Sequence, residues 1–167
     1  MIVKSKINFN FYNLVSADKI LVIVIFKYVK NYLTIHVFKG IRNNADPLRR
    51  IEKFIENDML DYLGTDVFEG GCFFLNMLVE LSGQSAAMSK QILRGFVRLS
   101  GLLRSWLEEA DQKGMLQENL DLKEVSNFII ISLNGAAALY ISSRDRNILD
   151  QTVQQLRFYI SQLKVHS

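Results

Sequence analysis

The apolar positions along this chain recur mostly every three or four residues, which is the period of one face of an α-helix. From residue 47 the pattern is clear. Leu48, Ile51, Phe54, Ile55, Met59 and Tyr62 form one stripe, opened by Asp46-Pro47 and stopped by Gly64. Aspartate accepts the free N–H groups of a first turn, and proline there gives up a donor that the helix does not need. A short apolar helix is predicted from Cys72 to Leu81, bounded by Gly70-Gly71 and Ser82-Gly83. A long helix follows Ser85, with the stripe Met88, Ile92, Leu93, Phe96, Leu99, Leu103, Trp106, Leu107 and Ala110, and Gly114 is its expected stop. Asp121-Leu122-Lys123-Glu124 has the form of a capping box and opens a helix through about Ile141. The last helix starts near Asp145, and Leu149, Val153, Leu156, Ile160 and Leu163 form its seam.

The N-terminal third is less regular. Residues 1–15 show a strand-like alternation with no clear period. Ile20 to Phe26 is rich in β-branched residues, as buried strands are, but Leu21, Ile25, Tyr28, Tyr32, Ile35 and Phe38 continue at helical spacing. A helix over residues 17–41 is therefore expected, with Ser16 as its cap. The sum is an all-α antiparallel bundle of about six helices joined by short loops. Residues 16–167 form the domain, and 1–15 form an appendage.

The segment Phe128 to Ile141 is apolar nearly all round. Such a helix is either central in a large core or shared between two chains. In a domain this small, its second face predicts a symmetric contact with another copy. Phe128, Ile131, Gly135, Ala136 and Leu139 are expected there, with Leu149, Val153, Leu156 and Ile160 from the next helix. The alternative is a central core helix in a monomer.

Composition narrows the function classes. The chain has 167 residues and 49% of them are hydrophobic, so it buries a core without staples. There is one proline, and helices joined by short loops need few. The single cysteine excludes an internal disulfide, and nothing points to an oxidising compartment. The longest apolar run read from the chain, Ile20 to Phe26, is far short of the roughly 20 residues that span a bilayer, so the expected location is cytoplasmic and no membrane partner is expected. Residues 1–60 hold ten basic side chains against five acidic ones, a modest basic bias with no convincing phosphate-binding patch. His36 and His166 have no cysteine or carboxylate at ligand spacing, and there is no nucleophile elbow or phosphate loop. No metal, cofactor or enzyme activity is expected. Cys72 follows two glycines at a helix start, where a thiol is either activated or simply packed as a small hydrophobe, and the packed reading is favoured.

Several motifs together resemble those of TetR-family transcriptional regulators. Gly71-Cys72-Phe73-Phe74-Leu75-Asn76-Met77-Leu78-Val79-Glu80-Leu81 is similar to the helix of pattern GC-x-x-x-N-x-x-x-E-L found in many of them. Lys113-Gly114-Met115-Leu116 with Leu120-Asp121 resembles the turn before the family's penultimate helix, and Asn134-Gly135-Ala136 falls at its small-residue dimer patch. The resemblance spans roughly residues 12–164. It implies an effector-binding and dimerisation domain, with a small hydrophobic effector and a homodimer. Tyr62, Phe68, Phe73, Phe74, Met77, Phe96 and Trp106 lie on the helices that enclose the family's effector cavity. Tyr62, Phe73, Asn76, Met77, Phe96 and Trp106 are the candidate pocket residues, with Asn76 and the Trp106 indole as polar anchors.

Phe11-Tyr12-Asn13-Leu14-Val15-Ser16-Ala17-Asp18 resembles the junction that follows the family's helix-turn-helix, and Tyr12 matches its backbone-contacting tyrosine. Val15, Ala17 and Asp18 depart from the pattern, and an aspartate there would repel a phosphate. Residues 1–15 are too few for three helices. They read as a remnant, and DNA binding is expected only where a helix-turn-helix is supplied elsewhere. The alternatives to a ligand-responsive regulator are a module that pairs with intact relatives, and an unrelated helical binding protein.

Overall fold

The computed structural model describes residues 19–65, 71–81 and 85–165. Six α-helices run in sequence through them: α1 Lys19–His36, α2 Pro47–Glu56, α3 Phe73–Leu81, α4 Ala86–Gln112, α5 Leu122–Ser143 and α6 Asn147–Gln162. A π-helical segment, Asn57–Leu63, continues α2 without a break. The all-α bundle expected from periodicity is present. Ser16, Ser82, Gly83, Phe68 and Tyr12 lie outside the described residues, as does the 1–15 appendage.

The helix ends follow the chemistry read from the sequence. Asp46 Oδ1 accepts from the Leu48 and Arg49 amides at 2.8 and 3.3 Å, ahead of Pro47. Asp121 Oδ1 accepts from Lys123 and Glu124 at 2.9 and 3.0 Å. Asp145 Oδ1 takes the Asn147 amide at 3.0 Å. Each partnership satisfies donors that a helix start leaves free. Gly40 and Gly114 sit in the turns after α1 and α4 with positive φ, where a side chain would be strained.

The core is one cluster. Leu48, Ile51, Phe54, Ile55 and Met59 from α2 and its extension meet Leu103 and Leu107 of α4, Ile129 and Leu133 of α5, and Leu149, Val153, Leu156 and Ile160 of α6. Each such aliphatic side chain withdrawn from water contributes about 1.5–3 kcal/mol. α5 packs against α4 on one side and α6 on the other, and it also meets the π segment. It is the one helix among those described that is long and apolar enough to cross a membrane, and its inward half is built into this bundle.

Two expectations need correction. The first helix ends at His36; among its side chains described, from Lys27 on, Val29 is buried, as is Val37 just past its end, while Tyr28 and Ile35 face outward, 52% and 66% exposed. Of the stripe read from the sequence, Tyr28 and Ile35 thus turn outward, Tyr32 and Phe38 pack against the core, and the side chains of Leu21 and Ile25 lie outside those described. The α6 seam is also turned inward. Leu149, Val153, Leu156 and Ile160 are at most 4% exposed, already consumed by α2, the π segment and α5.

The end of α4 is tied to α2 and to the chain after α6 at one corner. The chain after α6 pairs antiparallel with the loop after α4, through Gln117 N to Leu163 O at 2.9 Å and Val165 N to Met115 O at 3.1 Å. Arg50 of α2 reaches Glu109 near the end of α4 at 2.5 Å, and Lys113 holds the same carboxylate at 2.7 Å.

Candidate functional site

A cavity of about 70 Å³ lies among α1, α2, the π segment, α4 and α5. The helical winding brings its walls together. Each hydrogen bond in the π segment spans five residues, as from Gly64 N to Met59 O at 2.9 Å. That wider winding sets Asp58, Tyr62 and Leu63 on one face, below Phe54 of α2, and all four line the cavity. Leu33, Val37 and Phe38 close it from α1 and its following turn, and Phe96 and Leu99 from α4. Ile130, Leu133, Asn134 and Ala137 of α5 form the far wall, with Cys72 and Phe74 at the start of α3.

Of the six pocket residues expected from sequence, Tyr62 and Phe96 line this cavity. Phe73 and Met77 are buried beside it in the core. Phe73 serves through its backbone, since its amide donates to the Tyr62 hydroxyl at 3.2 Å. Its neighbour Phe74, set edge-on to it at 5.4 Å between ring centres, takes the cavity position. Asn76 is half-buried on α3 and is not part of the wall. Trp106 stands one layer out, edge-on to Phe54 at 6.4 Å, so its indole touches the wall through that ring.

The polar members of the wall are Asp58, Tyr62, Cys72 and Asn134. Burial pushes the Asp58 carboxyl up to about 7. Burial, and then the charge of Asp58, push the Cys72 thiol up to about 12, although the Leu75 and Phe74 amides act the other way. Tyr62 is raised well above its ordinary value, by burial first and then by Cys72. Cys72, half-buried on the cavity wall, is therefore held as a neutral thiol with the Tyr62 hydroxyl as its hydrogen-bond partner. Asn134 spends its amide nitrogen on the Ile130 carbonyl at 2.8 Å. Among the described residues no three His, Cys, Asp or Glu come together as a metal cluster.

Asp58 was missed in the sequence. The signal was present: it lies four residues after Phe54 and four before Tyr62, an acid on an apolar face. Such a residue reads as a solvated edge unless the helix is known to be covered there.

A second concavity, about 700 Å³ and open to solvent, runs along the outside between α5 and α6. Phe128, Ser132, Gly135 and Leu139 form its α5 side, and Phe158 and Tyr159 its α6 side, with Ala136 and Leu156 in its floor. The Phe128 and Tyr159 rings meet at a tilt of 57°, with 4.9 Å between their centres. Beside the groove, Ile131 is 68% exposed, and Leu139 and Phe158 are each 61% exposed. A Cβ built on Gly135 would meet nothing within 4 Å, so this surface is open to a close-approaching partner. Of the α5 residues expected at a contact with a second copy, Phe128, Ile131, Gly135 and Leu139 face outward, whereas Ala136 is buried against the bundle. On α6 the outward apolar residue is Phe158, an aromatic off the main seam.

These features define an all-helical domain with an apolar cavity inside and an apolar helix face outside. A family model described as the Tetracyclin repressor-like, C-terminal domain matches residues 47–156, well over half of the chain, and the chain belongs to that family. No curated protein sequence matches it. Its fold is similar to a TetR transcriptional regulator from Chloroflexus aurantiacus J-10-fl, with a TM-score of 0.79 and 17% identity over 90% of this chain and 76% of that one. It is similar to a TetR-family regulator from Cytophaga hutchinsonii, with a TM-score of 0.69 and 19% identity over 85% and 68%. A TetR regulator from Haloarcula marismortui ATCC 43049 gives 0.69 and 14% over 89% and 80%. At these identities the structures speak to fold alone.

Proposed function

We propose that this chain is the effector-sensing and dimerising part of a TetR-type transcriptional regulator. A small, largely apolar effector enters the cavity between the π segment and α5, and the outer face of α5 and α6 pairs with a second copy. α5 forms a wall of both. A change in cavity content is then felt at the helix that sets how two copies sit together, as a shift between populated arrangements. Reading DNA, in this scheme, belongs to a helix-turn-helix unit.

The observation that carries the reading is the outer face itself. Phe128, Leu139 and Phe158 are exposed along one groove between two neighbouring helices, and Ile131 is exposed on the same helix as Phe128 and Leu139, a clustering of large apolar side chains of the kind that marks an interaction surface. Light scattering after size exclusion tests it. The expected mass at micromolar concentration is that of two chains, and Ile131→Glu paired with Phe158→Glu is expected to give one chain with unchanged helicity. A single-chain mass for the unaltered protein overturns the dimer.

A further inference from the structure

We propose that the cavity takes the ammonium end of a small organic cation, with the Asp58 carboxylate as its counter-ion. This rests on the reading of the cavity as an effector site and adds the ligand's charge and size.

The first ground is the partner that Asp58 lacks. Its side chain lines the cavity, and among the described residues no cation pairs with it. Nearby acids on the same stretch of chain are neutralised: Glu52 by Arg49 at 2.6 Å, and Glu56 by Lys53 and Arg157. A carboxylate withdrawn from water is costly unless a cation or donors meet it.

The second ground is what surrounds it. The titratable groups on the cavity wall are Tyr62, on Asp58's own segment, and Cys72, before α3; both are neutral near pH 7. The parts of α1, α2, α4 and α5 that face the cavity bring apolar side chains and Asn134, but no charge. The wall therefore holds one negative group among the rings of Phe38, Phe54, Phe74 and Phe96. Aromatic rings attract cations, and a lone carboxylate repels anions.

The third ground is volume. A cavity of about 150 Å³ holds benzene. The 70 Å³ here suits a head group of a few heavy atoms. A divalent metal is disfavoured because, among the described residues, no three His, Cys, Asp or Glu come together there.

The test is a chemical-shift titration of the full chain, which reads millimolar binding, with propylammonium chloride, 1-propanol and sodium propionate at pH 8. Propylammonium is expected to shift resonances of the cavity wall and to bind at least about tenfold tighter than either other probe, the gain of one short-range charge pair. Asp58→Asn is expected to lose that tenfold preference and keep its propanol affinity. Equal affinity for propylammonium and propanol, or an unchanged preference in Asp58→Asn, overturns the proposal while leaving the effector cavity standing. No binding by any of the three overturns both.

If Asp58→Asn does not fold, the unaltered chain supplies the second measurement. Its affinity for propylammonium is expected to be about tenfold weaker at pH 6 than at pH 8, because the carboxyl takes up a proton over that range. A flat profile overturns the counter-ion role.

Discussion

The Asn57 side chain donates to the carbonyls of Val37 and Lys39, both at 2.9 Å, and so fastens the turn after α1 to the start of the π segment. Asn57 is fully buried and its Oδ1 has no partner. The site thus needs two donors, not a shape alone. Asn57→Ala is expected to cost about 2–3 kcal/mol, since it strands two carbonyls and leaves a hole. Asn57→Asp is expected to cost more at neutral pH, because an acceptor then faces acceptors. Chemical unfolding of the two variants ranks them; equal midpoints would contradict the donor argument.

Gly71 lies against Ile141 at the end of α5. Its φ is +75°, and a Cβ there would come within 2.2 Å of Ile141 Cγ1. Gly71→Ala therefore carries a backbone penalty of about 1–2 kcal/mol and an overpacking penalty of about 1–3 kcal/mol. Trimming the obstacle with Ile141→Ala is expected to recover only the second part. A double-mutant cycle separates them, and a zero coupling energy would show that the two residues do not meet.

The Asp58 carboxyl sets a pH dependence of known sign. Its folded pKa of about 7 lies above the unfolded value near 3.8, so the folded state holds the proton more tightly. The associated stability is fully present below the unfolded value and is lost as pH rises through 7. Without ligand, Asp58→Asn is expected to be more stable than the parent at pH 8, by on the order of 2–4 kcal/mol, and to approach it at pH 4. Thermal denaturation at the two pH values tests this, and a pH-independent difference between the proteins would count against a buried carboxyl.

Cys72 is expected to be a slow thiol. Raised to about 12, it leaves on the order of one thiolate in ten thousand at pH 8. Alkylation by iodoacetamide should be at least a hundredfold slower in the folded chain than in denaturant. Comparable rates would mean that the thiol is neither covered nor held neutral.

Much of this architecture was legible from residue spacing, because helix caps and turns are local chemistry. Asp46-Pro47, Asp121 and Gly114 act within a few residues of where they stand, and the structure uses them as read. The stripe from Leu48 to Met59 is buried as its period implied. What failed was orientation between elements. The α6 seam of Leu149, Val153, Leu156 and Ile160 has the same spacing whether it faces its own bundle or a second copy. Only the position of α2 beneath it decides. The cavity was legible in kind and poorly legible in membership. An α-helical count carries no sign that the chain unwinds to π geometry after Glu56, and that local change places Asp58 and Leu63 beside Tyr62. Phe73 and Phe74 are adjacent aromatics, and sequence alone does not say which of them turns inward.

The corner that joins α4, α2 and the segment after α6 fastens the C-terminal end of the longest helix. Glu109, Lys113, Met115 and Gln117 are all fastened there, to Arg50, Ala45, Val165 and Leu163. α4 has 27 residues and so extends about 40 Å. By geometry alone, a rotation of about ten degrees at that anchorage would displace the Ala86 end by about 7 Å over this length. Phe96 and Leu99 sit partway along that length and line the cavity, so the helix that is anchored at this corner is also a cavity wall.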